Sequence, residues 1–297
     1  MATKSNHKPK NLRPEITGAN STEILKSKPI KNNGSPAARN LLSSTRKAQP
    51  ATPNTQHPTP NSQHPTDLNP CCVIDLGMMD YNKAWKLQSD IVSARVKGII
   101  DTDIILFLEH PTVFTLGRRG GLDHLLVSEE FLKTSGIPIV HVERGGNITF
   151  HGPGQLVVYP IVNLKARSIG VVDFVAALED IMLATVQTWG IAAERNSANR
   201  GIWIGNNKLG SIGLAIRKGI SFHGLALNVN IDLTPFSWIQ PCGLEGVCMT
   251  SMKKELGSEL SMDDVCTAVK KQFESVLDLK LTTTSFSHLQ QQLQNPS

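Results

Sequence analysis

E-R-G-G-N-I-T-F-H-G-P-G-Q-L-V-V-Y-P, residues 143–160, carries more chemistry than any other segment of this chain. It opens on Arg144-Gly145-Gly146 and closes on Leu156-Val157-Val158-Tyr159, an apolar run of buried-strand length. Four of the eleven residues from 144 to 154 are glycines: Gly145, Gly146, Gly152 and Gly154. Each glycine costs backbone entropy, so this density predicts positive φ or a close approach of backbone to a ligand. The alternative is a loop that merely turns tightly. Arg144, Thr149, His151 and Gln155 in the same segment favour a ligand loop.

On the N-terminal side, residues 137–142 read as a strand leading into this block, and 113–117 as another extended segment. Arg118-Arg119-Gly120-Gly121 is a turn. Ser128 caps a short helix, with Phe131 and Leu132 on its inner face. Residues 72–77 and 102–108 read as strands. Between them, 79–97 carries Ala84, Leu87, Ile91 and Ala94 at helical spacing. On the C-terminal side, Asp173 reads as the N-cap of a helix to Trp189, closed by Gly190. Strands are expected at 192–194, 202–204, 209–216 and 220–231, with Lys218-Gly219 as the hairpin turn between the last two. Ser261 caps a final helix through Leu277, and 286–297 reads as a flexible tail. Helices packed on mixed β-sheets give an α+β fold class.

Composition splits the chain. Residues 1–69 contain no Phe, Trp or Tyr but hold nine of the 17 prolines, and a repeat-like P-N-T-Q-H-P-T-P-N-S-Q-H-P-T spans 53–66. Such a segment buries too little apolar area to offset its ordering entropy and reads as a disordered tail. The tail has ten Lys or Arg against three acids, hence +7, whereas the whole chain carries +5. The remainder is therefore near −2, and net charge gives no support to a nucleic-acid function. No apolar stretch reaches the length of a membrane span, and the N-terminus lacks the apolar core of a secretory signal. Five cysteines without a C-x-x-C spacing predict neither a disulfide framework nor a metal site.

Arg144 to Tyr159 matches R-G-G-x-x-T-[aromatic]-H-x-x-G-Q-x-x-x-Y at every fixed position. This resembles the signature of the lipoyl(octanoyl) transferases. Two later blocks agree: G-N-N-K-L-G-S-I-G (205–213) and P-C-G-L-E-G-V-C-M-T-S-M (241–252). The resemblance covers roughly residues 73–279. It implies the fold of the biotin and lipoate protein ligase catalytic domain, here over 70–285. It also implies transfer of an octanoyl group from octanoyl-acyl carrier protein to a lysine of lipoyl-accepting domains. Those acceptors are the lipoyl domains of 2-oxoacid dehydrogenase E2 subunits and the glycine cleavage H protein. No cofactor and no metal are implied. The enzyme is expected to act as a monomer in a bacterial-type cytoplasm, with the mitochondrial matrix as the alternative.

By resemblance, Cys242 is the acyl-accepting nucleophile. Its Pro-Cys-Gly turn holds the thiol with room around sulfur, although a free cysteine also serves as a small buried hydrophobe. Sulfur suits the task because donor and intermediate are both thioesters. An unperturbed thiol is only a few per cent ionised at pH 7, so a second group must lower its pKa or take its proton. Lys208 is that group by resemblance, with a partly buried setting among Ile204 and Leu209; an ordinary hairpin lysine is the plainer reading. His151 is the rival base and is assigned a supporting role. His223 is weaker still, and reads as structural. The substrate-binding stretches implied are Arg144, Gly145, Gly146, Asn147, Ile148, Thr149, Phe150 and His151, then Ser211, Ile212 and Gly213, then Gly224, Leu225 and Ala226. Small residues at Gly213, Gly224 and Ala226 are expected to leave a slot for a medium-length acyl chain. Burying about eight carbons at ~0.8 kcal/mol per CH₂ supplies several kcal/mol.

Cys248 departs from the resemblance by adding a second thiol near the first. Two other readings stay open at this point. An ATP-dependent lipoate or biotin ligase shares the Arg-Gly-Gly opening but needs no nucleophilic cysteine. A non-catalytic carrier-binding module needs neither Cys242 nor Lys208.

Overall fold

The computed structural model of this chain describes residues 69–197, 199–240 and 247–294. Twelve strands and six helices are named here in chain order: β1 (Asn69–Met78), α1 (Tyr81–Val96), β2 (Asp103–Glu109), β3 (Val113–Leu116), α2 (Glu129–Thr134), β4 (Ile139–His141), β5 (Ile148–His151) and β6 (Gln155–Ile161). Then come α3 (Val171–Gln187), β7 (Glu194–Arg195), β8 (Gly201–Ile204), β9 (Asn207–Arg217), β10 (Ile220–Asn228), β11 (Cys248–Met249), α4 (Met252–Leu256), α5 (Met262–Leu277), β12 (Leu279–Thr283) and α6 (Phe286–Gln294).

Among the described residues one sheet runs β12-β1-β2-β6-β10-β9-β8-β7, with β11 also paired to β9. β1 lies parallel to both β12 and β2, and the ladders from β2 through β7 are antiparallel. A smaller sheet has the order β4-β3-β5. The fold is therefore α+β with mixed sheets, as expected.

β2 is apolar from Ile104 to Leu108 because both faces of the large sheet are covered. Ile105 and Phe107 join the core under α3 and α5, with Phe174, Leu178, Ile181, Val265, Val269 and Phe273. Ile104, Leu106 and Leu108 face the opposite core, with Leu87 and Ile91 of α1 and Leu289 of α6. Each such side chain, fully buried, contributes about 1.5–3 kcal/mol. The small sheet has its own core: Phe114, Leu116, Leu132, Ile148, Phe150, Phe236 and Ile239.

Several sequence expectations are corrected. The glycine-rich segment is not all loop, since 148–151 is β5, which gains its partner only by pairing with β3. Gly170, not Asp173, occupies the N-cap of α3, and Asp173 sits in the first turn, where a carboxylate still favours the helix dipole. Phe131 is 41% exposed and packs edge-on against Trp238, so only Leu132 faces inward from α2. α5 is not the last helix. Residues 286–294, read as tail, form α6, because Leu289 is buried against the α1 side of the sheet and Phe286 and Leu293 pack beside it. The Lys218-Gly219 hairpin is as expected, with φ of 53° and 86° at the two turn residues, the pattern of a type I′ turn.

Candidate active site

Arg144 is buried, and its guanidinium ties two elements together. Nη2 donates to the Thr115 hydroxyl at 2.7 Å and to the Thr115 carbonyl at 2.8 Å, while Nη1 donates to the Gly145 carbonyl at 3.0 Å. The Gly145 N–H donates to the Leu214 carbonyl of β9 at 2.8 Å, so the loop is laced to the large sheet as well as to β3. Gly213 permits this docking. A Cβ there would lie 3.0 Å from Arg144 Cδ and 3.1 Å from the Gly145 carbonyl oxygen. Gly146, at φ +90°, takes a conformation that side chains resist. The glycines thus serve close backbone packing around a cleft rather than a simple turn.

His151 ends β5 and is buried. Its Nδ1 lies 2.7 Å from Gln155 Oε1. The Gln155 amide is oriented by its Nε2, which donates to the Phe150 carbonyl at 3.3 Å and to Asn228 Oδ1 at 2.9 Å. Oε1 must therefore accept, which places the proton on Nδ1 and leaves the Nε2 lone pair as the basic site. Burial, reinforced by His110 nearby, holds the imidazole well below its ordinary pKa, so His151 is neutral near pH 7. The rings of Tyr81 (5.8 Å, stacked) and His110 (5.7 Å, edge-on) back it. His110 is fixed in turn: Nδ1 donates to the Met79 carbonyl at 2.7 Å, and Nε2 accepts from the Tyr159 hydroxyl at 2.8 Å. Burial drops His110 to about 4.

Lys208 is 2% exposed, a rare state for lysine and far from the ordinary hairpin lysine. Nζ donates to Asn199 Oδ1 at 2.5 Å and lies 5.1 Å from the centre of the Trp203 ring. Lys208 pairs with Trp203 of β8 on one side and with Met249 of β11 on the other. The Thr250 N–H donates to the Lys208 carbonyl at 2.9 Å, and the Thr250 carbonyl accepts from Asn228 Nδ2 at 2.9 Å. Asn228 therefore links the His151–Gln155 pair to the segment that runs beside Lys208.

A cleft of ≈ 380 Å³ joins these groups, within the usual range of small-molecule sites. Of the residues expected to bind substrate, Arg144, Gly145, Gly146, Asn147, Ile148, Thr149, His151, Ser211, Ile212, Gly213 and Ala226 line it, together with Lys208. Phe150, Gly224 and Leu225 are not among its lining residues. Phe150 and Leu225 belong to the cores, and the space beside Gly224 is taken by the Val158 carbonyl and Pro160. Cys242 lies in 241–246, outside the described residues. Cys248 is exposed on β11. His223 is buried beside Glu143, with Nε2 3.9 Å from Oε2, beyond hydrogen-bond reach, and it does not line the cleft. A second hollow of ≈ 490 Å³, bordered by Asn230, Asp232, Ser251, Lys253 and Lys254, shares no lining residue with this cleft.

Sequence reasoning missed Asn199, Arg200, Val171 and Val175, which also line the cleft. It missed the supporting Asn228, Tyr81 and His110 as well. Glu179, whose buried carboxylate accepts from the Gly201 N–H at 2.9 Å, did leave a signal: an acid within the apolar stripe of α3 formed by Leu178, Ile181 and Met182. No helix among the described residues is long and apolar enough to cross a membrane.

The chain matches the lipoyl protein ligase A/B catalytic domain family over residues 80–274. It is 48% identical over 195 residues to an octanoyltransferase of Desulfotalea psychrophila, covering 65% of this chain and 87% of that protein. It is 43% identical over 198 residues to an octanoyltransferase of Syntrophobacter fumaroxidans, covering 67% and 86%. In structure it is similar to a bi-partite lipoate protein ligase of Thermoplasma acidophilum, with TM-score 0.61 and 17% identity over 76% of this chain and 90% of that one. It is also similar to a lipoate-protein ligase A bound with ATP, with TM-score 0.62 and 17% identity, covering 76% and 92%. At that identity the structural likeness speaks for the fold alone.

Proposed function

Because this chain belongs to the octanoyltransferases, within the lipoyl protein ligase A/B catalytic domain family, we propose that it moves an octanoyl group from octanoyl-acyl carrier protein to one lysine of a lipoyl-accepting domain through a thioester on Cys242. Acyl transfer in lipoylation is the activity of the family. The donor, the single acceptor lysine and the covalent intermediate are our reading.

The observation that carries it is the pairing of Cys248 and Met249 onto Asn207 and Lys208. This ties the downstream end of the Pro-Cys-Gly block to the strand that supplies a buried amine at a glycine-walled cleft. Cys242 is six residues upstream of Cys248, a reach of about 20 Å at full extension.

In the first half-reaction Lys208 takes the Cys242 proton. The thiolate attacks the octanoyl carbonyl carbon, the bond to the carrier's sulfur breaks, and that sulfur leaves with the proton from Lys208. In the second, the acceptor amine attacks the enzyme thioester and gives its proton to Lys208, which returns it to the departing Cys242 sulfur. Neutral His151 supports both steps by offering Nε2 as an acceptor at the cleft wall. No nucleotide is needed, because a thioester becomes a thioester and then an amide.

The test is transfer without ATP. The full chain, octanoyl-acyl carrier protein and a lipoyl domain should give the octanoylated domain and free carrier thiol. AMP release from ATP and free octanoate, with no transfer from the carrier, would replace this reading by a ligase. Carrier binding without transfer would leave only a binding module.

A further inference from the structure

The turn before β8 has no role in the mechanism above, yet it meets the buried amine directly. Asn199 Oδ1 lies 2.5 Å from Lys208 Nζ. The Asn199 carbonyl accepts from Trp203 Nε1 at 3.2 Å, and Nζ sits over that same ring. Gly201, at φ +121°, presses its bare Cα towards the lysine stem. A Cβ there would lie 3.0 Å from Lys208 Cε and closer still to the Gly210 carbonyl.

α3 fixes this turn through Glu179. Its carboxylate is 1% exposed, and Oε1 accepts from the Gly201 N–H at 2.9 Å. Oε2 accepts from Arg195 Nε and Arg200 Nη1, each at 3.2 Å. A buried carboxylate is costly unless fully paired, and this one meets three donors, all from residues 195–201. The turn carrying Asn199 is therefore held from the core side, and Asn199 and Arg200 are presented at the cleft.

We propose that Asn199 is a positioning residue for Lys208, aiming the amine at the reacting atoms while accepting from it in either protonation state. The proposal rests on the acid–base role of Lys208 given above. That role asks the amine to take and return a proton in each half-reaction. A neutral amide oxygen accepts from an ammonium and from an amine alike, more strongly from the ammonium, but adds no charge that would lock the proton in place. A carboxylate in its place would hold the amine protonated, and an apolar group would penalise the charged form.

The test uses the full chain with Asn199→Asp and Asn199→Leu. The Lys208 ionisation midpoint is read by NMR of labelled lysine side chains, with its signal assigned by loss in Lys208→Arg. In parallel, kcat for transfer from octanoyl-acyl carrier protein to a lipoyl domain is followed against pH. Asn199→Asp should raise the midpoint by about one unit or more and move the acid limb of kcat upward with it. Asn199→Leu should move both the other way and lower kcat at least tenfold, with KM for the lipoyl domain changed less than about threefold. Either variant alone suffices if the other fails to fold. A midpoint unmoved in the folded variants overturns the proposal. A midpoint that moves while the kcat profile stays fixed upholds the Asn199–Lys208 coupling and instead removes Lys208 from the acid–base chemistry.

Discussion

Replacing Gly224 by alanine separates two explanations for the small residues around the cleft. From sequence, Gly224 leaves room for an acyl chain. In the fold it sits in β10 opposite Gly213 of β9, between the central strands, and is surrounded by backbone. A Cβ at Gly224 would lie 2.6 Å from Pro160 Cδ, 3.1 Å from the Val158 carbonyl carbon and closer still to the Val158 oxygen. None of these is the free end of a flexible side chain. β6 and β10 would have to part next to the pairs Leu225–Val158 and Ala226–Val157. Overpacking costs about 1–3 kcal/mol where side chains yield, and a weakened ladder hydrogen bond adds about 1 kcal/mol. Gly224→Ala should therefore lose about 3 kcal/mol or more, a large part of the 5–15 kcal/mol typical of a domain. Gly145→Ala is the comparison. That glycine lines the cleft, does not have positive φ, and its Cβ would meet only the Leu214 carbonyl, at 3.5 Å. Its stability should change by less than about 1 kcal/mol. Urea unfolding of both variants, followed by circular dichroism and tryptophan fluorescence, measures the difference. A Gly224→Ala protein within about 1 kcal/mol of wild type, with an altered acyl-chain preference, would refute the packing argument and restore the slot.

Acid should unfold the protein early. His110, His151 and His223 are buried with pKa values pushed below the ordinary 6.5, so the unfolded chain binds protons that the folded one cannot. Stability is then full above pH 6.5 and falls as pH drops towards about 4, the folded value of His110, by up to about 4 kcal/mol per unit for the three together. Urea midpoints unchanged between pH 7 and 5 would contradict the neutral burial of these rings. Arg118 and Arg119 are exposed, and Arg119 lines the cleft. Replacing both by glutamine should raise KM for the carrier protein and flatten its salt dependence, whereas an unchanged KM and salt slope would clear this pair. A chain beginning at Asn69, the first residue of β1, should keep its melting temperature and transfer rate. Loss of either would show that residues 1–68 contribute to the folded domain.

The buried strands were legible because both faces of the large sheet are covered, which makes β2 and β6 continuous apolar runs. α1 and α5 were legible from helical spacing and from the Ser261 cap. β5 was hidden because its apolar–polar alternation, Ile148-Thr149-Phe150-His151, lasts only four residues beside a glycine-rich stretch; its partner, β3, is far off in sequence. α4, β11 and β12 have at most five residues each, too few for a period to show. α6 carries an amphipathic stripe, Phe286, Leu289 and Leu293, that was passed over because it is short and sits among glutamines at the end of the chain's apolar pattern. The Arg144–His151 segment was readable because its groups are contiguous. Their partners were not: Gln155 meets Asn228 across 73 residues, and Glu179 meets Gly201 across 22. Such pairs exist only once the sheet order is known.

Intact mass after incubation with octanoyl-acyl carrier protein alone tests the central claim most directly. Wild type and Cys248→Ser should each gain one octanoyl group, removable by hydroxylamine, and Cys242→Ser should gain none. An adduct that survives in Cys242→Ser, or wild-type transfer that runs with no adduct at all, would contradict a thioester on Cys242.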